Sequence, residues 1–197
     1  MTPTSGFKAP DALDTLTARS FLASAYRAAG NLAVVGPLHH KNLADTARVL
    51  GEDHPETLVA RANLACLYAM QHDEHRSLEL HERNLADYER VHGLDHPHTL
   101  NARANLASSY RATGDLPRAI ELHEQSVNDY ARVFGSDHSE TITARSNLAY
   151  AYQLAGDPDR AIPLHRQVLA DRERLYGHAH HYTELACQLL TNAENQR

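Results

Sequence analysis

The residues best equipped for chemistry in this chain of 197 residues are its 15 histidines. Imidazole can ligate metal, move protons or orient a nucleophile. One set, His39, His81, His123 and His165, recurs every 42 residues, and so does a second, His54, His96, His138 and His180. A third group is the run His178-Ala179-His180-His181. Arginine follows the same interval at Arg19, Arg61, Arg103 and Arg145, while Cys66 and Cys187 stand at non-equivalent places within it. Metal binding by the first histidine set is opposed by distance. Equivalent residues of neighbouring helical units lie about 8–10 Å apart, whereas two histidines share a zinc only with both nitrogens about 2.1 Å from it. The run at 178–181 is the better metal candidate. No CxxC pair, HExxH helix or glycine-rich phosphate loop occurs, and no Ser, Cys or Thr is fixed beside an oriented base.

The elements that must position these residues are themselves periodic. RANLA at 61–65 returns as RANLA at 103–107 and as RSNLA at 145–149. GEDHPET from Gly51 returns as GLDHPHT from Gly93 and GSDHSET from Gly135. A period of roughly 20–50 residues marks a stack of units, each burying its apolar face against its neighbours. Each unit reads as two helices. Asp95 offers an N-cap oxygen and Pro97 fits the first turn. Leu100, Leu106, Ala107 and Tyr110 then recur at helical spacing, until Gly114 stops the helix. A second helix carries Ala119, Ile120, His123, Val127 and Tyr130 to Gly135. First helices are predicted at about 11–29, 54–71, 96–113 and 138–155, second helices at about 32–50, 74–92, 116–134 and 158–176, and a last one at about 181–194. The fold class is an all-α, right-handed α-solenoid of four hairpins with a C-terminal capping helix. Residues 1–10 read as an N-terminal extension and 11–197 as one repeat domain, with repeats at about 11–52, 53–94, 95–136 and 137–178 and the cap at 179–197. The first repeat diverges: Phe21 replaces the recurrent Asn, and Val34-Val35-Gly36-Pro37 is expected to interrupt its second helix, with Pro163 as a counterpart.

Composition narrows the function classes. A formal net charge of −6 argues against nucleic acid, which needs a basic stripe. No apolar run approaches the ~20 residues of a membrane span. The start, MTPTSGFKAPD, lacks a basic leader and an apolar core, so no secretory signal is read there. Two cysteines far apart fit a reducing, cytoplasmic setting. Lysine occurs only at Lys8 and Lys41, which with the abundance of alanine reads as a genomic composition bias.

Asn105-Leu106-Ala107, Tyr110, Gly114 and Ala119 resemble the tetratricopeptide repeat signature. The 42-residue form, with its DHPxT link and NLAxxY core, is similar to the repeats of kinesin light chains and to repeats appended to bacterial signalling proteins. The resemblance covers about Asp11 to Asn192. It implies helical hairpins whose first helices line a concave groove for peptides or protein segments. With no catalytic or phosphate-binding motif in the sequence, no cofactor and no enzymatic activity are expected.

Positions identical in every repeat are assigned to the framework. The Arg19 set is expected to pair with Asp45, Asp87, Asp129 and Asp171, and Asn63, Asn105 and Asn147 to satisfy backbone groups between hairpins. The His39 set is expected to be packed and hydrogen-bonded between helices, and His54, His96, His138 and His180 to be exposed turn residues. Groove-facing positions from the helical wheel give the candidate ligand-binding set: Ser24, Arg27, Cys66, Met70, Asn101, Ser108, Arg111, Tyr150 and Gln153. Met70 and Tyr150 would give apolar contact, and Arg27 and Arg111 would meet acidic groups. Where carboxylate-clamping relatives have a second Asn this chain has Ser24, Cys66, Ser108 and Tyr150, so recognition of a terminal carboxylate is not expected. The reading is a scaffold for a protein or peptide partner, with its ligand and oligomeric state open. Its rivals are a repeat segment of a larger bacterial signalling regulator, and a small-molecule or metal sensor or enzyme on the same fold.

Overall fold

The structure, a computed structural model, describes residues 9–196. Most of the proposed 1–10 extension therefore lies outside the described residues. Those described form nine helices and no strand: α1 (Ala9–Ala28), α2 (Leu32–Leu50), α3 (Pro55–Met70), α4 (Glu74–His92), α5 (Pro97–Ala112), α6 (Leu116–Phe134), α7 (Ser139–Leu154), α8 (Pro158–Tyr176) and α9 (His181–Asn195). They divide into two compact units, one ending at Val91 and the other beginning at His92. The first has its core at Val35, Leu64, Leu67 and Tyr68, with Tyr26, Leu43 and Leu80 against it. The second has cores around Leu100 and Tyr130, around Ile142, Val168 and Ala186, and around Leu148, Tyr152 and Ala161.

The DHPxT link shows why each first helix starts where it does. Gly51 and Gly135 sit at φ +96°, a region closed to most side chains. Their carbonyls accept hydrogen bonds at 2.7 Å from the hydroxyls of Thr57 and Thr141. Both threonines are fully buried, so the link is clipped from inside. The N-cap is not Asp95, as the sequence suggested, but His96, whose Nδ1 accepts from the His98 N–H at 3.2 Å. His54, His138 and His180 cap in the same way. Asp95 is drawn elsewhere: it binds Arg132 through both carboxylate oxygens, at 2.5 and 2.7 Å. A bidentate charged pair outcompetes a cap bond. In the second helices aspartate does cap, with Asp73, Asp115 and Asp157 accepting from Arg76, Arg118 and Arg160 N–H groups.

A charged ring closes each hairpin. Arg61 is 1% exposed and pairs with Asp87 on α4 at 2.5 Å. Arg19 meets Asp45 at 2.7 Å, Arg145 meets Asp171 at 2.5 Å, and Arg103 meets Asp129. All four expected partners are therefore the observed ones. A second arginine set extends the ring, joining Arg90 to Asp87 and Asp53, Arg132 to Asp129 and Asp95, and Arg174 to Asp171 and Asp137. Burial raises the Asp87 carboxyl, but hydrogen bonds and charge from Arg90 and Arg61 outweigh it and hold the group below the usual carboxylate range. A further layer stacks the guanidinium groups of Arg76, Arg118 and Arg160 over Tyr68, Tyr110 and Tyr152, at 4.9, 5.4 and 4.2 Å.

Other positions depart from expectation. α2 runs unbroken through Pro37, and α8 through Pro163. Each proline is exposed near its helix start, so the one carbonyl it leaves unpaired can face water. The Asn63, Asn105 and Asn147 side chains have no hydrogen-bond partner among the described residues, so they do not tie hairpins together. Phe21, in their place on α1, is 71% exposed. The His39 set is buried as expected, but not uniformly hydrogen-bonded. His165 Nε2 lies 3.2 Å from Gln153 Oε1, whereas neither nitrogen of His123 has a partner. Burial lowers His81 and His123 from 6.5 to about 4, with the Arg111 charge adding to the effect at His123.

Three predictions arise from this frame. Asp129→Asn removes the ionised partner of the buried Arg103 guanidinium, so it should cost about 3 kcal/mol. Arg103→Met should cost less, because Arg132 still neutralises Asp129. Denaturant titrations compare the two, and equal losses would refute the asymmetry. The second concerns acid. His81 and His123 fold with a pKa below the unfolded value, so the unfolded chain takes up protons first as pH falls from 6.5 toward 4. Stability is full above that window and drains within it, by about 2 kcal/mol per histidine at pH 5. Melting curves at pH 7 and 5 should show the drop, and His81→Leu/His123→Leu should shrink it. Third, His72 holds φ +58° where Gly30, Gly114 and Gly156 occupy the equivalent turns. His72→Gly should stabilise by up to about 1 kcal/mol, and a lower melting temperature would contradict that account.

Candidate functional site

The first helices present the candidate residues in two sets, one in each unit. In the first unit Ser24, Arg27, Cys66 and Met70 line a depression of about 20 Å³, together with His39, Asn63 and Leu67. Ser24, Arg27, Cys66 and Met70 are exposed at its rim, while His39 is buried beneath. Crowding around the Cys66 sulfur raises its pKa above the usual thiol value, with Arg27 opposing weakly. A raised thiol pKa suits a wall residue better than a nucleophile.

In the second unit the Arg111 guanidinium lies 5.2 Å from the centroid of the Tyr150 ring. Both side chains are half-buried, so the ring and the fork are held by each other yet open to a ligand. Ser108 donates its hydroxyl to the Ala104 carbonyl at 3.0 Å. Asn101 and Gln153 are engaged within the protein. Asn101 Oδ1 accepts from the Tyr130 hydroxyl at 2.5 Å, and Gln153 links His165 to Gln196. The structure thus pairs Arg111 with Tyr150 at a half-buried surface, with Ser108 one turn before Arg111 on the same helix, and gives Asn101 and Gln153 internal partners. Sequence reasoning missed His39 and Asn63 as lining residues. The signal for both was the 42-residue register, which puts them beside Ser24, Arg27 and Cys66.

The C-terminal histidines are largely used by the fold. His180 caps α9 and stacks on Tyr176, and His178 Nδ1 lies 3.1 Å from Glu173 Oε1. Among the described residues no group of three or more His, Cys, Asp or Glu side chains is placed to hold a metal ion. Beside them an open cleft of about 630 Å³ runs between α8 and α9, past Glu173, Glu184, Cys187 and Gln188.

Comparison with known proteins places this architecture. The tetratricopeptide repeat family profile matches residues 14–83, 71–131 and 105–174. No curated protein matches the sequence. Among solved structures, the nearly identical TPR-like repeats of a candidate kinesin light chain from Podosopora anserina share 27% identity with this chain, with a TM-score of 0.80 over 92% of it and 86% of theirs. A form of the same protein carrying a single substitution gives 0.81 at the same identity and coverage. BtubC (BKLC) from P. vanneervenii reaches 0.81 over 94% of this chain and 74% of its own, at 18% identity, a likeness of fold. With hairpins repeating every 42 residues and neighbours of the kinesin light chain kind, the chain belongs to the tetratricopeptide repeat family.

Proposed function

We propose that this chain is a scaffold that holds an extended or helical segment of a protein partner on the exposed faces of its first helices. Repeats of this family generally mediate protein–protein interaction, and such scaffolds are typically non-enzymatic. The observation that carries the finer reading is the Arg111–Tyr150 pair, a mutually held arginine and aromatic of the kind that dominates binding hot spots. Met70, 46% exposed in the other unit, offers an apolar contact. The depression beside it, about 20 Å³, is far below the several hundred Å³ of a metabolite pocket. It admits the tip of a side chain, which favours a macromolecular ligand. The reading includes one repeat domain over residues 11–197 and a cytoplasmic, bacterial setting, supported by two free cysteines and the arginine bias. No helix among the described residues is long and apolar enough to cross a membrane.

Affinity capture from a lysate of the source organism tests this, comparing wild type with Arg111→Glu/Tyr150→Ala. The partner should be retained by wild type and weakened at least about tenfold by the double substitution. Equal capture by both proteins would remove these faces from the function.

A further inference from the structure

First helices turn one face back toward the hairpin before them. On α3 that face carries Leu64 and Leu67, which pack on Val35 of α2. On α7 it carries Ala144, packed on Leu100 and Tyr130, and Ala60 holds the same register on α3. Position 63 looks the same way, since Asn63 lines a depression with Ser24 and Arg27 of α1. Stepping back 42 residues from Ala60, Asn63, Leu64 and Leu67 leads to Ala18, Phe21, Leu22 and Ala25 on α1, and all four are exposed. Leu22 is 47% exposed where Leu64 is 3%.

This bare face is not shaped for another hairpin of the same kind. The link residues Gly51 to His54 correspond to Ala9 to Ala12, and these are already helical. That is why α1 runs for 20 residues where α3, α5 and α7 run for 16. The chain therefore makes no link turn before α1. Phe21 also stands where the other first helices have Asn63, Asn105 and Asn147. The eight residues before α1 are too few to cover the face as a helix. They would span about 12 Å, whereas Leu22 and Ala25 lie about 20 and 24 Å along α1 from Ala9. The face is not finished for water either. On α9 the positions of Leu58, Arg61 and Ala65 hold Glu184, Cys187 and Thr191, the polar surface expected of a terminal repeat. On α1 the side chains are alanine, leucine and phenylalanine.

We propose that this face of α1 is an interface between two copies of the chain, which pair α1 against α1 antiparallel about a two-fold axis. The stripe is self-complementary under that operation. With the axis between Phe21 and Leu22, each Phe21 meets Leu22 of the second copy and each Ala18 meets Ala25 of the second copy. Alanines seven residues apart let the two helices approach to about 8 Å, the close end of helix packing, and the phenylalanine and leucine fill the centre. No like charges meet. Asp14, the acidic residue two turns before Leu22, falls opposite Ala29 of the second copy, just past the end of its helix. Antiparallel pairing also sets opposite ends of the two helix dipoles side by side. A single helix pair buries less than the roughly 1,200 Å² of a standard interface, so the dimer is weak, with a Kd of about 10–100 μM. It leaves the faces proposed to hold a partner segment open.

Sedimentation equilibrium of the full chain from about 5 to about 500 μM brackets that Kd and should show the mass rising from monomer toward dimer. Phe21→Glu and Ala25→Glu should each weaken the dimer at least about tenfold. Both positions are exposed in the single copy, so at about 5 μM the melting temperatures should stay near wild type. The register is read by cross-linking in a Cys66→Ser/Cys187→Ser background. A mixture of Ala18→Cys and Ala25→Cys chains should form disulfide-linked dimers well above either chain alone. Equal cross-linking by Ala18→Cys alone would overturn the antiparallel pairing. A dimer indifferent to both glutamate substitutions would place the interface elsewhere and overturn the proposal. A chain that stays monomeric throughout would also overturn it, and would leave the face to a different protein or to the chain's own residues.

Discussion

The buried guanidinium at Arg61, Arg103 and Arg145 is the constraint on which each repeat is built. A charge with 1% exposure, as at Arg61, is tolerable only if its partner is fixed, and fixing that partner fixes the register of the two helices. Asp87, Asp129 and Asp171 supply that partner from the second helix. Each aspartate uses its other oxygen for Arg90, Arg132 or Arg174, which reaches back to the aspartate of the link. The result is a closed circuit joining link, first helix and second helix. Lysine could not replace these arginines, because a single ammonium lacks the planar fork that spans two carboxylates. The scarcity of lysine is a composition bias, but at these positions arginine is also the residue that geometry requires.

Much of this frame is legible from periodicity. Helix positions are visible because the apolar series and the turn glycines repeat, and the pairing of Arg19, Arg61, Arg103 and Arg145 is visible because a partner must repeat with them. What periodicity cannot do is choose between neighbours. Asp95 and His96 both recur and both can cap α5. The choice is made by Arg132, 37 residues away, which claims the aspartate. The recurrent asparagines illustrate the opposite error. Asn63, Asn105 and Asn147 repeat as faithfully as the arginines, yet their side chains bond nothing among the described residues. Recurrence shows that a position is equivalent between repeats, and leaves its role to the geometry.

The candidate faces were legible in outline for the same reason. The helical wheel puts Ser24, Arg27, Cys66, Met70, Ser108, Arg111 and Tyr150 on the outer surface of their helices, where they are exposed or half-buried. It does not reveal that Tyr130 claims Asn101, or that Gln196 and His165 claim Gln153, because those partners lie on other helices or beyond them. The separation of free from engaged side chains is a tertiary fact.

That separation explains how a repeat protein can change its ligand without losing its fold. The charges that hold the hairpins are consumed in pairs, and removing one member exposes the cost of burying the other. The charges at Arg27 and Arg111 carry no such debt. They stand at the surface, where water solvates them, so their retention adds little stability. Histidines beneath them are costly in the opposite sense: each is buried neutral, and at His123 both nitrogens forgo a hydrogen bond that water would have supplied. A fold indifferent to such a site would fill it with an apolar side chain of similar volume, as it fills other second-helix positions with Val35 and Val168. A polar floor at such a position is an arrangement that stability alone does not favour.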